Sequence, residues 1–281
     1  MIGKGDIHIL SDMPLQSFIE LSEGISMVEN INGVPCSRKC YIPRGTWRIP
    51  TETEVKILQG KEDEFNHAKS IGIFKIPDNL LFELEQKNPF KNVKSGEDLN
   101  NEMQKPDVNN LISKIHQFVI DKICDDLDEF WFLGIAISPN SLNTISMNME
   151  TKEFVGLHID SWDMKLLDER LHARNRITIN IGGDYRYFLC INKSMQQIAN
   201  EVLINKSSKS IQREDIRSIN DAFLSGNYNY SVLRLKMLPG TFYIAPTENI
   251  IHDASTLGTK YFDLNATYLG HFSHKTNKNG V

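Results

Sequence analysis

The segment Gly156-Leu157-His158-Ile159-Asp160 places an imidazole and a carboxylate two positions apart. On an extended strand such residues point to the same face, so the two side chains stand next to each other. A third candidate ligand comes from Ile250-Ile251-His252-Asp253, where His252 lies 252 − 160 = 92 residues beyond Asp160, near the end of another strand. Two histidines and one carboxylate on one side of a metal leave its other positions open. That facial arrangement suits Fe(II), whose free sites take a chelating co-substrate and O2. A His-x-Asp spacing is weak evidence in a chain with eight histidines. It gains weight because it falls on a strand-like run, and because His252 follows the strand-like segment from Pro239 to Pro246.

The elements that must position these groups are short and β-rich. Runs over 132–137, 144–149, 154–160, 176–181, 185–192, 230–237, 241–245 and 261–269 carry strand-forming residues, with Gly, Pro and Asn between many of them. Strands at this density predict a barrel or a two-sheet jelly roll. Residues 193–229 interrupt them with a polar, helical pattern, open to two readings, a lid or a homodimer contact. Residues 1–140 read as a mixed, helix-rich support. An amphipathic helix with a Thr cap is expected over 51–70, a shorter one over 78–86 capped by Asp78, and a loop over 88–106. The strongest helix covers 107–127, where Val108, Leu111, Ile112, Ile115, Phe118, Val119, Ile123 and Leu127 form one apolar stripe. The expected fold class is α+β with a mainly β core, organised as one domain over 1–281 with the core at 141–272.

On these motifs, residues 144–272 resemble the Fe(II)- and 2-oxoglutarate-dependent oxygenases. The resemblance implies a double-stranded β-helix, a cupin-like jelly roll with helical support. It implies Fe(II), 2-oxoglutarate and O2 as cofactor and co-substrates, with His158, Asp160 and His252 as the iron ligands. The carboxylate at Asp160 argues against the halogenase branch. The family also needs a cation for the distal carboxylate of 2-oxoglutarate, because a buried carboxylate must be paired. Most branches use an arginine after the distal histidine, and no arginine follows His252 here. Arg186, in a segment resembling the fourth strand of the JmjC-like branch, is preferred over Lys260, placed as in the prolyl-hydroxylase branch. Arg176, in phase with Thr178 and Asn180, is the third candidate. If Asp263, Asn265 and Thr267 face the barrel interior, Lys260 falls on the other face. Asn180 and Asn265 are candidates for contact with the co-substrate, and Ser161, Trp162 and Asp163 for the substrate mouth. Glu248 is read as a solvent-facing turn residue, with support of a ligand histidine as the alternative, and His271 and His274 as solvated.

The resemblance implies hydroxylation of a small molecule such as an amino acid, a peptide or a natural-product intermediate. Two alternatives stand beside it: a JmjC-like hydroxylase of protein side chains, and a non-catalytic cupin-like binding protein. Composition narrows the setting. The 281-residue chain is 40% hydrophobic and 24% charged, close to a globular average. Its charge, 31 − 36 = −5, with no basic block, argues against nucleic-acid and anionic-membrane partners. No stretch approaches a membrane span, and the first residues lack a secretory pattern. The basic tail at 275–278 reads as a solvated end. The expected location is the cytoplasm, where Cys36, Cys40, Cys124 and Cys190 would be reduced thiols. The close pair Cys36-x3-Cys40 lacks a second pair to complete a zinc site.

Overall fold

The computed structural model describes residues 2–60, 65–205 and 215–274. The expected helix over 51–70 and the insertion over 193–229 lie partly outside the described residues, and the basic tail lies wholly outside them. In chain order come β1 (His8–Ser11), β2 (Ile19–Ile31), β3 (Val34–Arg48), α1 (Glu52–Leu58), β4 (Ser70–Lys75), α2 (Asp78–Lys87), α3 (Gly96–Met103) and α4 (Pro106–Lys122). Then follow β5 (Trp131–Ser138), β6 (Met147–Asn148), β7 (Glu153–Gly156), β8 (Asn175–Asn180), β9 (Arg186–Ser194), α5 (Met195–Asn205), α6 (Ile216–Gly226), β10 (Leu233–Met237), β11 (Thr241–Ala245), β12 (Ile250–Ser255) and β13 (Asp263–Gly270).

One sheet has the order β1-β4-β11-β8-β13-β5 and the other β12-β9-β10-β2-β3-β7-β6. From β5 onward the chain alternates between them. It leaves β5 for β7 and the His158–His252 bridge, returns to β8, crosses to β9 and β10, returns to β11, crosses to β12 and ends on β13. This winding is the expected double-stranded β-helix, with helices packed on the first sheet.

Side-chain alternation along the strands explains the layers. On β8 and β13, Ile177, Ile179, Leu264, Ala266 and Tyr268 face α4 and join a core with Val108, Leu111, Ile112, Ile115 and Val119. The opposite faces of the same strands turn Arg176, Thr178, Asn265 and Thr267 toward a cavity between the sheets. Arg186 and His252 from the second sheet meet them there.

The N-terminal part differs from the helix-rich expectation. The hairpin β2–β3 extends the second sheet, and β1 and β4 extend the first. Asn32 and Gly33 at the hairpin tip both have positive φ (52° and 82°), which matches the right-handed strand twist. Asn-Gly between strand-forming runs is the sequence signal that would have found it. The helix after Thr51 stops at Leu58, and the chain returns as β4 from Ser70 because 70–75 must complete the sheet beside β11. The expected loop at 88–106 contains α3, capped by Ser95. At α2 the capping position is Pro77, and Asp78 is the first helical residue. The long stripe ends at Ile123, and Leu127 is exposed. His274, expected to be solvated, stacks on Phe74 with ring centroids 3.7 Å apart.

Candidate metal centre

His158 lies just past β7 and is tied to β12 by reciprocal backbone bonds with His252, 2.9 Å and 2.8 Å long. This bridge brings together two residues far apart in the chain and sets their rings side by side, with centroids 4.6 Å apart. Asp160 completes the group: its Oδ1 is 3.7 Å from His158 Nε2 and its Oδ2 is 3.6 Å from His252 Nε2. Ligand atoms of all three residues lie within 4.8 Å of one another. His158 Nδ1 bonds the Gly156 carbonyl at 2.7 Å and His252 Nδ1 the Ile250 carbonyl at 3.2 Å, so each Nε2 faces the shared point. Backbone carbonyls of this kind fix the tautomer that a metal requires.

Burial pushes His252 down to about 3, so it is a neutral imidazole at ordinary pH. Burial also works against ionised Asp160, but Arg176, His252 and His158 outweigh it and hold the carboxyl well below the usual range. Burial opposes a charge on His158, yet Asp160 overrides it and holds this imidazole above its ordinary value. The set is therefore one neutral imidazole, one carboxylate and one imidazole whose proton a divalent cation would replace. Nitrogen and oxygen donors of this kind fit Fe(II).

The five candidates for binding the co-substrate divide. Arg186 lines the cavity of about 330 Å³ that contains His158 and His252. It is buried, its Nε sits 3.5 Å from Asp263 Oδ2, and its Nε and Nη1 have no hydrogen-bond partner. Asn265 lines the same cavity and links Asp263 to Thr267, donating to Asp263 Oδ2 at 3.1 Å and accepting from Thr267 Oγ1 at 3.0 Å. Arg176 also lines it, but its Nη2 lies 2.7 Å from Asp160 Oδ2. Asn180 lies elsewhere: its amide donates to the carbonyls of Asp184 and Met237, and its oxygen accepts from Gly182 N–H. Its position at the end of β8, past the cavity, commits it to closing the turn. Lys260 is an exposed turn residue whose backbone N–H donates to Asp184 Oδ2 at 2.7 Å. It lies before β13 begins and is not among the residues lining the cavity.

The loop after Asp160 is held by charged groups, of which the sequence did not single out Arg170 and Arg174. Arg170 donates to the Asp160 carbonyl at 3.0 Å, to Ser161 Oγ at 3.1 Å and to the Glu248 carbonyl, and its Nη1 lies 3.6 Å from Glu248 Oε2. Glu248 lies in the expected turn but is fully buried rather than solvent-facing, and it accepts from the backbone N–H groups of Trp162 and Asp163. Asp163 accepts three bonds from Arg174, so it clamps the loop. Trp162 is half exposed and stands at the cavity mouth. A mixed pattern of charge between 160 and 174 was visible, but nothing in spacing pairs Arg170 with Glu248.

No protein-family model matches the chain, and none of the curated proteins does. Among solved structures it is similar to the Kdo hydroxylase KdoO, a non-heme Fe(II) alphaketoglutarate-dependent dioxygenase. The apo form aligns with 13% identity over 73% of this chain and 81% of that one, at a TM-score of 0.38. The complex with succinate and Fe(III) aligns with 13% identity over 73% and 80%, at 0.39.

Proposed function

We propose that this protein is an Fe(II)- and 2-oxoglutarate-dependent oxygenase that hydroxylates a small molecule such as an amino acid, a peptide or a natural-product intermediate. The observation that carries the reading is the convergence of His158, Asp160 and His252 within 4.8 Å, at a cavity of a double-stranded β-helix. When bound, a ferrous ion with 2-oxoglutarate supplies O2 activation coupled to oxidative decarboxylation. The chain's own residues do the rest. His158, Asp160 and His252 hold one side of the metal and leave the other open. Arg186, with buried and unpartnered donors, receives the distal carboxylate of 2-oxoglutarate and fixes its direction. Arg176 orients Asp160. Trp162, Leu133 and Ile145 wall the mouth and limit water there. A cavity of about 330 Å³ matches a small substrate better than a folded protein surface.

The test is an anaerobic titration with Fe(II) and then 2-oxoglutarate, followed through the visible band of the iron chelate. We expect a band in the wild type, none in Asp160→Ala, and a dissociation constant for 2-oxoglutarate raised at least tenfold in Arg186→Gln, since a charge-assisted bidentate contact is worth about 1.5–3 kcal/mol. Lys260→Ala should leave the band unchanged. No band in the wild type, with iron absent after reconstitution, would sink the oxygenase reading in favour of a cupin-like binding protein.

A further inference from the structure

The pair Cys36 and Cys40 is not used by the metal site, yet the fold brings it together beside that site. The register shows how. On one side of β3, Cys36 lies opposite Phe154 and Tyr41 opposite Gly156, so five steps of β3 face two steps of β7. On the other side, Pro35 lies opposite Asn30 and Cys40 opposite Val28, again five steps against two. Two steps of strand span about 6.6 Å, so residues 37–39 must loop out and the flanking positions must close up. Lys39, with φ 65°, makes the turn. Both side chains belong to one small apolar cluster with Phe154 and Val28. Cys36 is partly accessible and Cys40 is fully buried. A separation of about two strand steps falls within the Cα range that a disulfide spans.

We propose that Cys36 and Cys40 are an oxidation site that forms an intrachain disulfide by exchange with a low-molecular-weight disulfide, and that this bond tightens the strand carrying His158. The accessible Cys36 thiolate attacks one sulfur of oxidised glutathione, whose S–S bond breaks and releases one glutathione thiolate. Cys40, deprotonated, then attacks Cys36 Sγ in the mixed disulfide, forms the protein bond and releases the second glutathione. The protein loses two electrons and two protons, and the two glutathione thiols carry them away. Burial holds both thiols above the usual cysteine range, so the exchange is slow and the reduced pair persists until an oxidant accumulates.

The link to the metal site is short. A Cβ on Gly156 would lie 2.8 Å from Cys40 Sγ and 2.4 Å from the Tyr41 carbonyl, so this glycine is pressed against the pair. Leu157 N–H donates to that same Tyr41 carbonyl at 2.7 Å, and the Gly156 carbonyl orients His158 through Nδ1. Fixing Cys40 therefore fixes the backbone that aims a ligand. Groups that orient a metal-binding histidine typically change affinity by about tenfold or more when lost, and stiffening one should act in the opposite direction.

The experiment incubates the whole protein with oxidised glutathione and reads intact mass. The expected product is lighter by two hydrogens. Digestion after Lys39 should leave two peptides joined until reductant is added, and Cys40→Ser should stop at a glutathione adduct on Cys36. A stable glutathione adduct on wild-type Cys36, or two unmodified thiols after prolonged exposure, would overturn the proposal. Cobalt(II) titration of the reduced and oxidised forms reads the coupling, and we expect at least threefold tighter binding when oxidised. Equal affinities would overturn the coupling to His158. Cobalt binding to neither form would count against the metal centre, while the mass measurement still decides the disulfide.

Discussion

Glu248 is buried against the loop that follows Asp160, and its carboxylate faces Arg170, which is equally buried. Burial raises the Glu248 carboxyl, and the N–H groups of Trp162 and Asp163 together with Arg170 oppose that rise. Removing one member of such a pair leaves the other charge uncompensated. We therefore expect Glu248→Ala to cost about 3–5 kcal/mol of stability, measured by denaturant unfolding. Glu248→Gln keeps one acceptor oxygen for the loop N–H groups, which both bond the same oxygen, and should cost less. If Glu248→Ala is as stable as wild type, the loop beside Asp160 is held by something other than this pair.

At the start of α1, Thr51 Oγ1 accepts from Glu54 N–H at 3.3 Å and Glu54 Oε2 accepts from Thr51 N–H at 2.9 Å. Glu54 also pairs with Arg48 at the end of β3, 2.6 Å away. Thr51→Ala should cost about 1 kcal/mol, read as a lower unfolding midpoint. The Arg48 guanidinium holds the Glu54 carboxyl down at about 2, below its ordinary 4.5. A depressed carboxylate stabilises the fold above its unfolded value and loses that contribution as pH falls toward its folded value. The Glu54 contribution should thus be intact above about pH 5 and fade between about pH 4.5 and 2. The difference in stability between wild type and Glu54→Gln should shrink over that window. A difference that is constant with pH would rule the ion pair out as its source.

The two halves of the chain share both sheets, and the two largest apolar clusters draw on both halves. The outer face of β8, β11 and β13, with Ile177, Ile179, Phe242, Ile244, Leu264 and Tyr268, is covered by α2 and α4. The hairpin β2–β3 covers the edge of β10. A fragment beginning at Trp131 would expose both that apolar face and a bare strand edge. We expect it to aggregate or bind a hydrophobic dye, whereas the full chain unfolds in one transition. A soluble fragment that binds cobalt would show the opposite, a core independent of its N-terminal cover.

Local pattern determined a good part of this protein. The His-x-Asp spacing marked His158 and Asp160 as a ligand pair, although the expected strand there ends at Gly156, and the two-residue period marked β8, β9, β11 and β13. The three-and-four spacing marked the buried face of α4, because both periods follow from backbone geometry alone. The polar set on β13 likewise pointed Asn265 and Thr267 inward. Tertiary structure decided what depends on contacts across long separations. It joined His252 to His158 by a backbone bridge and buried Arg186 with free donors while committing Arg176 to Asp160. It also set Arg170 against Glu248, and drew Cys36 toward Cys40 through a register shift fixed by neighbouring strands. It drew β2 and β3 into the sheet although the surrounding sequence read as helical support, since a strand is stabilised mainly by what it packs against. Pairings of this kind depend on which surfaces meet once the chain has collapsed, and residue spacing carries no record of that.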